Sequence, residues 1–253
     1  MSRMRSVVDS AGVRAEFVKL RTLSSTWRFL AVTAVVSLAF SGIGVGVTES
    51  GQRPGLVDAM TGPAFGQSLM MLLAARTATQ EFRTGTIWAS YLAVPDWRRL
   101  IGAKAVTAVV GSVAVGAVLC AGGLAVAAVV APRADLAPDT GAEWRTLCGI
   151  VLTYAIGAAI GVSVGVLVKS AGLAIALLLV WPFVAEPALG PLADWLLGTG
   201  VSPWLPFTAM NAVSGDPTAP PLPGGALTGV LYVTVLAAAL LVCATAVQRR
   251  RDL

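Results

Sequence analysis

Gln80 to Lys104 reads QEFRTGTIWASYLAVPDWRRLIGAK, a long polar interval in an otherwise apolar chain. One apolar run ends before it near Thr79 and another begins at Leu100, so the interval joins two membrane spans. Within it Ile87, Tyr91 and Val94 recur at helical spacing, with Trp88 and Leu92 beside them. Thr84 and Thr86 are placed to cap the start, Gly85 to free the turn and Pro95 to stop the helix. Asp96 is placed to cap the helix that follows, which Arg98 and Arg99 anchor at the headgroups. The expected product is a short amphipathic helix within the loop 80–99, held at the membrane surface with its aromatic residues facing water. An apolar face with no core of its own to enter is a docking element.

The rest of the chain sets that loop in a membrane. Its 253 residues are 56% hydrophobic and 12% charged, far from the balance of a soluble domain. Apolar runs of about 20 residues, enough to cross a hydrocarbon core of about 30 Å, recur along nearly the whole length. The formal charge of +5 is no nucleic-acid signal, because the basic residues gather at span ends. Histidine is absent, which removes the commonest proton shuttle and metal ligand. Cys120, Cys148 and Cys243 lie inside apolar runs without CxxC spacing and read as buried structural thiols.

In chain order, residues 1–25 carry Arg3, Arg5, Arg14, Lys19 and Arg21 between two apolar stripes, as a helix lying at the headgroups would. The charged region is too long, and the apolar run after it too extended, for a cleaved signal peptide. Spans are expected at about 27–47, 63–79, 100–130, 146–168, 173–190 and 226–247. The third is longer than a bilayer needs and must tilt or protrude. Arg76 near the inner end of the second has two readings, snorkelling to the interface or a functional pairing. Lys169 and Ser170 form a tight inner turn.

The fifth run meets Pro182 and then Glu186-Pro187 after about 21 Å, at about 1.5 Å per residue. A residue before proline is pushed out of helical geometry, so the helix should break at Glu186. The Gly- and Pro-interrupted segment beyond it reads as one or two short re-entrant helices. Glu186 itself is either a capping or interfacial carboxylate, or a substrate or gate contact at the outer mouth.

Fifteen basic residues fall on the side of the 80–99 loop and both termini, and only Arg53, Arg133 and Arg145 on the other. The positive-inside rule then places both termini and that loop in the cytoplasm of a multi-pass cell-membrane protein. Trp27, Trp144 and Trp204 fall near the expected interfaces. The fold class is all-α, with six transmembrane helices. No GxxxxGK[ST] occurs, so ATP is not cradled by that route, and no Ser/His/Asp set can form without histidine. GAAIGVSVG at Gly157–Gly165 has the small-xxx-small spacing of a helix-packing face.

An acidic residue ending a span, then Arg-x-Gly-Thr, a short helix, proline, a basic pair and Ala-Lys form a pattern. Here it is Glu81, Arg83, Gly85, Thr86, Pro95, Arg98, Arg99, Ala103 and Lys104. The pattern resembles the permease subunit of type-2 ATP-binding-cassette exporters, and EFVKLRTLSSTW (Glu16–Trp27) resembles that family's run from elbow helix to first span. The resemblance implies an elbow helix over 1–25 and a coupling helix, with Glu81, Arg83, Gly85, Thr86, Ile87, Trp88, Tyr91, Leu92 and Pro95 engaging an ATPase. It implies no cofactor in this chain, ATP and magnesium on the partner ATP-binding subunit, and a second permease copy, as homodimer or heterodimer. The cargo would be a drug, antimicrobial peptide, lipid or glycan, exported by alternating access. A non-transporting immunity or sensor subunit and an ion-coupled secondary transporter are the alternatives.

Overall fold

The computed structural model describes residues 17–18, 24–47, 54–87, 92 and 96–251. The described residues are helical, in the order α1 (Ser24–Gly46), α2 (Leu56–Thr84), α3 (Trp97–Val130), α4 (Gly141–Val168) and α5 (Ala171–Val180). A π-helical turn at Trp181–Ala185 leads into α6 (Glu186–Leu197), followed by a 3-10 turn at Ser202–Trp204, α7 (Pro206–Val213) and α8 (Gly225–Arg251). Of the expected elbow helix, 1–16 and 19–23 lie outside the described residues, as do Trp88, Tyr91 and Pro95.

Among the described residues, five helical stretches are long and apolar enough to cross a membrane: α1, α3, α4, the continuous Ala171–Leu197 stretch and α8. α2 is as long as these but more polar, with Asp58, Gln67, Arg76, Glu81 and Arg83 along it. It is shielded instead by the other helices, with sixteen of its residues buried. α2 and α4 form the bundle axis; α1 and α3 pack on α2, while α8 packs on α4.

The surface has the polarity of a protein in lipid. On α1 the buried stripe is Thr26, Thr33, Ser37, Ser41 and Val45, while Val32, Val35, Phe40 and Ile43 face outward. A soluble helix would show the reverse. With apolar surroundings on both sides, hydrophobic burial gives little force between helices, and close packing of small residues takes over. Gly157, Gly161 and Gly165 of α4 supply that packing. A Cβ at Gly161 would overlap the Met71 carbonyl of α2, and one at Gly165 would lie 2.6 Å from the Ala75 carbonyl. The spacing read from the sequence is thus the α2–α4 seam.

Two polar details let α2 run through Pro63. Proline has no N–H for the Ala59 carbonyl four residues back, and the Ser41 hydroxyl donates to that carbonyl at 2.8 Å. The Tyr154 hydroxyl, fully buried, donates to the Pro63 carbonyl at 2.7 Å. Its ring fits only because Gly66 and Gly116 have no side chains, since a Cβ at Gly116 would lie 2.8 Å from the ring.

Three expectations change. α2 begins at Leu56 and ends at Thr84, well beyond 63–79, because Ser41 relieves the proline and buried neighbours shelter its polar residues. The helix does not break at Glu186, whose backbone stays helical (φ −64°, ψ −46°) and whose N–H bonds to the Trp181 carbonyl. A widened turn absorbs what two prolines would otherwise interrupt. Of the three cysteines only Cys120 is buried; Cys148 and Cys243 are exposed, because an apolar run does not say which face meets lipid.

Candidate functional site

The two ends of the 80–104 interval are fastened to each other. α2 stops where Gly85 takes a left-handed conformation (φ 70°), as its place in the turn requires. Thr84 turns its hydroxyl back to the Gln80 carbonyl at 3.0 Å and bonds Thr86 at 2.9 Å, so it closes α2 instead of capping a new helix. Asp96 caps α3 as expected, its Oδ1 accepting from the Arg98 amide at 3.0 Å. Between these ends the Lys104 ammonium donates to Glu81 Oε1 at 2.9 Å, with both side chains buried.

That pairing gives Glu81 a partner within the chain, 23 residues away. Arg83 is exposed, whereas Lys104 lies one helical turn and more into α3 and reaches Glu81 across the α2–α3 seam. A second tie comes from α4. Lys169 holds the tight inner turn in a left-handed conformation (φ 59°) and sets its ammonium 5.1 Å from the Phe82 ring centroid. The Gln248 amide near the end of α8 donates to the Val166 carbonyl at 2.9 Å. All three ties sit at one end of the bundle.

The docking residues separate accordingly. Ile87 is buried with Trp97, Leu100, Ile101, Val162 and Val166, so this part of the apolar face does have a core to enter. Leu92 is 82% exposed. Thr86 and Gly85 are exposed beside Arg83. Of the described loop residues, Ile87 points into the bundle and Leu92 is exposed.

At the opposite end Glu186 is 3% exposed and fully engaged. Its Oε1 accepts from the Trp181 indole N–H and from the Phe207 amide, each at 2.9 Å. Oε2 accepts from the Phe207 amide at 3.1 Å, the Thr208 amide at 2.8 Å and the Thr208 hydroxyl at 2.9 Å. Those amides are the unsatisfied first donors of α7, so the carboxylate caps that helix and favours its positive end. Of its two readings, the geometry is that of the cap. Asp194 ties the preceding loop in the same manner, accepting from the Val201 and Ser202 amides and the Ser202 hydroxyl.

By seating α7, Glu186 builds one wall of a cavity of about 370 Å³ among α1, α2, α4, the π turn and α7. Phe40 and Phe65, stacked on each other with ring centroids 4.7 Å apart, line it, and the Phe183 ring lies 6.5 Å from that of Phe65. Gln67 lines it from α2, 8% exposed, with a buried Nε2 that has no hydrogen-bond partner among the described residues. Such a donor costs about 1–3 kcal/mol when left unmade. Sequence reasoning missed both Gln67 and the Glu81–Lys104 bond. A lone amide inside an expected span was the available signal for the first; a 23-residue separation concealed the second.

No family model matches the chain, and no curated protein matches its sequence.

Proposed function

We propose that this chain is the membrane subunit of an ATP-driven exporter, working with a separate ATP-binding subunit docked beneath the 80–99 loop. The observation that carries the reading is how the described flanks of the loop are held together. Glu81–Lys104 joins α2 to α3 beside the loop, Ile87 and Trp97 are buried in the bundle, and exposed Leu92 marks the side left for a partner. With α2 and α3 joined by this pair, a push at the loop would reach both helices together. The resemblance of Glu81, Arg83, Gly85, Thr86, Pro95 and Lys104 to a coupling motif points the same way.

In this reading α2 is the sixth span, sheltered from lipid by its neighbours, and both termini are cytoplasmic by the basic asymmetry. Two copies, identical or related, enclose the path, and ATP with magnesium acts on the partner subunits. Closure of the ATPases rocks the two halves between inward and outward states.

Transport in vesicles tests this. Cargo movement should require ATP and persist when a protonophore collapses the proton gradient. Movement driven by the gradient without ATP would establish the secondary-transporter alternative, and ligand binding with no movement would establish the sensor or immunity alternative.

A further inference from the structure

α1 and α3 touch toward the end of the bundle away from the Glu81–Lys104 pair and part as they approach it. A Cβ at Gly122 would lie 2.9 Å from Leu38, and one at Gly42 would lie 3.6 Å from Val126, so the two helices are in contact there. At Gly111, further along α3 toward the pair, nothing lies within 4 Å of an added Cβ. The parting leaves a second cavity, of about 360 Å³. Trp27 and Leu30 of α1 stand on one side of it, Gly111 and Val115 of α3 on the other, and Met70 and Leu73 of α2 form its floor. We infer that it seats one acyl chain of a phospholipid, held as a resident part of the fold.

Charge, position and polarity argue for that occupant. No charged residue lines the cavity among the described residues. The Thr77 and Thr107 hydroxyls in its wall donate to the Ala74 and Ala103 carbonyls of their own helices, each at 2.8 Å, so they hold nothing out to water. The cavity opens at the exposed Trp27, and Val106 and Val110 on α3 are exposed close by. This is surface that meets lipid in a membrane-spanning bundle. The medium at the mouth is hydrocarbon, and an apolar gap left empty there would forfeit dispersion contacts along its whole wall. Trp27 falls at an expected interface, which sets the depth of the headgroups. Thr26 beside it and Ser112 on the facing helix are both buried, and they place two hydroxyls in the wall where the chain's ester carbonyl would lie.

The inference needs the membrane-spanning fold and not the exporter reading, since a resident chain stays where cargo has to leave. The test reconstitutes the full chain, without ATP or any ATPase, in phosphatidylcholine vesicles. These are doped with a phosphatidylcholine that carries a diazirine midway along one acyl chain. After irradiation, tandem mass spectrometry of the digested protein should find adducts at Met70 or Leu73, both buried on α2 out of reach of the bulk bilayer. Val106 and Val110 should be labelled as ordinary lipid contacts. Gly111→Phe, whose ring enters the gap, should lower the Met70 and Leu73 adducts about tenfold or more and leave those at Val106 and Val110 within about twofold. Should Gly111→Phe fail to fold, Ala108→Leu on the same wall makes the same comparison. The Thr26→Val, Ser112→Ala double variant should lower the buried adducts about threefold or more. Absence of buried adducts in wild type, or their full yield in the variants that fill the gap, overturns the site. Unlabelled Val106 and Val110 would show protein over the mouth and overturn the lipid as occupant. Wild-type yield in the double variant overturns the ester contact. None of these outcomes bears on ATP-dependent export, so the two readings fail separately.

Discussion

Lys104 and Glu81 are a buried ion pair whose two halves cannot be removed singly without cost. Removing either half takes from the other a buried partner at 2.9 Å, and breaking a buried pair in this way costs about 3–5 kcal/mol. Glu81→Leu and Lys104→Met should therefore each lower the melting temperature in detergent sharply, and the double variant should recover a large part of the loss. Equal and additive losses would show that the pair is not coupled. Glu186 invites a similar comparison at the other end. Glu186→Gln keeps the shape but presents an NH2 group to the Phe207 and Thr208 amides, which can only donate. It should cost about 1.5–3 kcal/mol, the range for hydrogen bonds to a charged group, read as a fall in thermal stability. It should also increase labelling of a cysteine placed at Ala209, buried on α7, as that helix loosens. An unchanged melting curve would remove the capping role.

The seam between α2 and α4 is the element on which the bundle turns, and its tolerance to substitution should follow the space behind each glycine. Gly161→Val should abolish monodisperse protein on size-exclusion chromatography, because its side chain would enter the Met71 carbonyl. Gly172→Ala and Gly111→Ala, where nothing lies within 4 Å of the added carbon, should elute as wild type. A tolerated Gly161→Val would mean that the helices are not in contact as described. Much of this scale was legible beforehand. Apolar run length located α1, α3, α4 and α8, Gly157–Gly165 announced a packing face, and Gly85 and Asp96 announced a stop and a start. What was not legible came from partners distant in sequence. Ser41 rescues the Pro63 gap, so α2 starts earlier than proline rules suggest. Trp181 and a π turn carry the helix through Glu186 when the pre-proline rule alone would end it. The direction of Ile87 was misjudged because helical spacing shows which residues share a face, not what covers it.

Over the whole molecule, the apolar exterior, the basic asymmetry and the Glu81–Lys104 pair beside the 80–99 loop are what the proposed exporter reading draws together. Orientation is open to direct check. With Cys120, Cys148 and Cys243 replaced, a membrane-impermeant maleimide applied from outside should label a cysteine at Asp139 and spare one at Arg98; the reverse pattern would invert the topology. Tryptophans at 27, 144 and 204 are at least partly exposed where interfaces are expected, in keeping with that frame. Interfaces concentrate their energy in a few buried aromatics, about 2 kcal/mol or more each. The decisive measurement is retention of an ATP-binding subunit by the tagged chain in mild detergent, compared between wild type and the Trp88→Ala, Tyr91→Ala double variant. The account predicts that wild type retains a nucleotide-hydrolysing partner, and that the double variant inserts in the membrane normally yet loses the partner or its coupled hydrolysis. Equal retention and equal hydrolysis in both would contradict it.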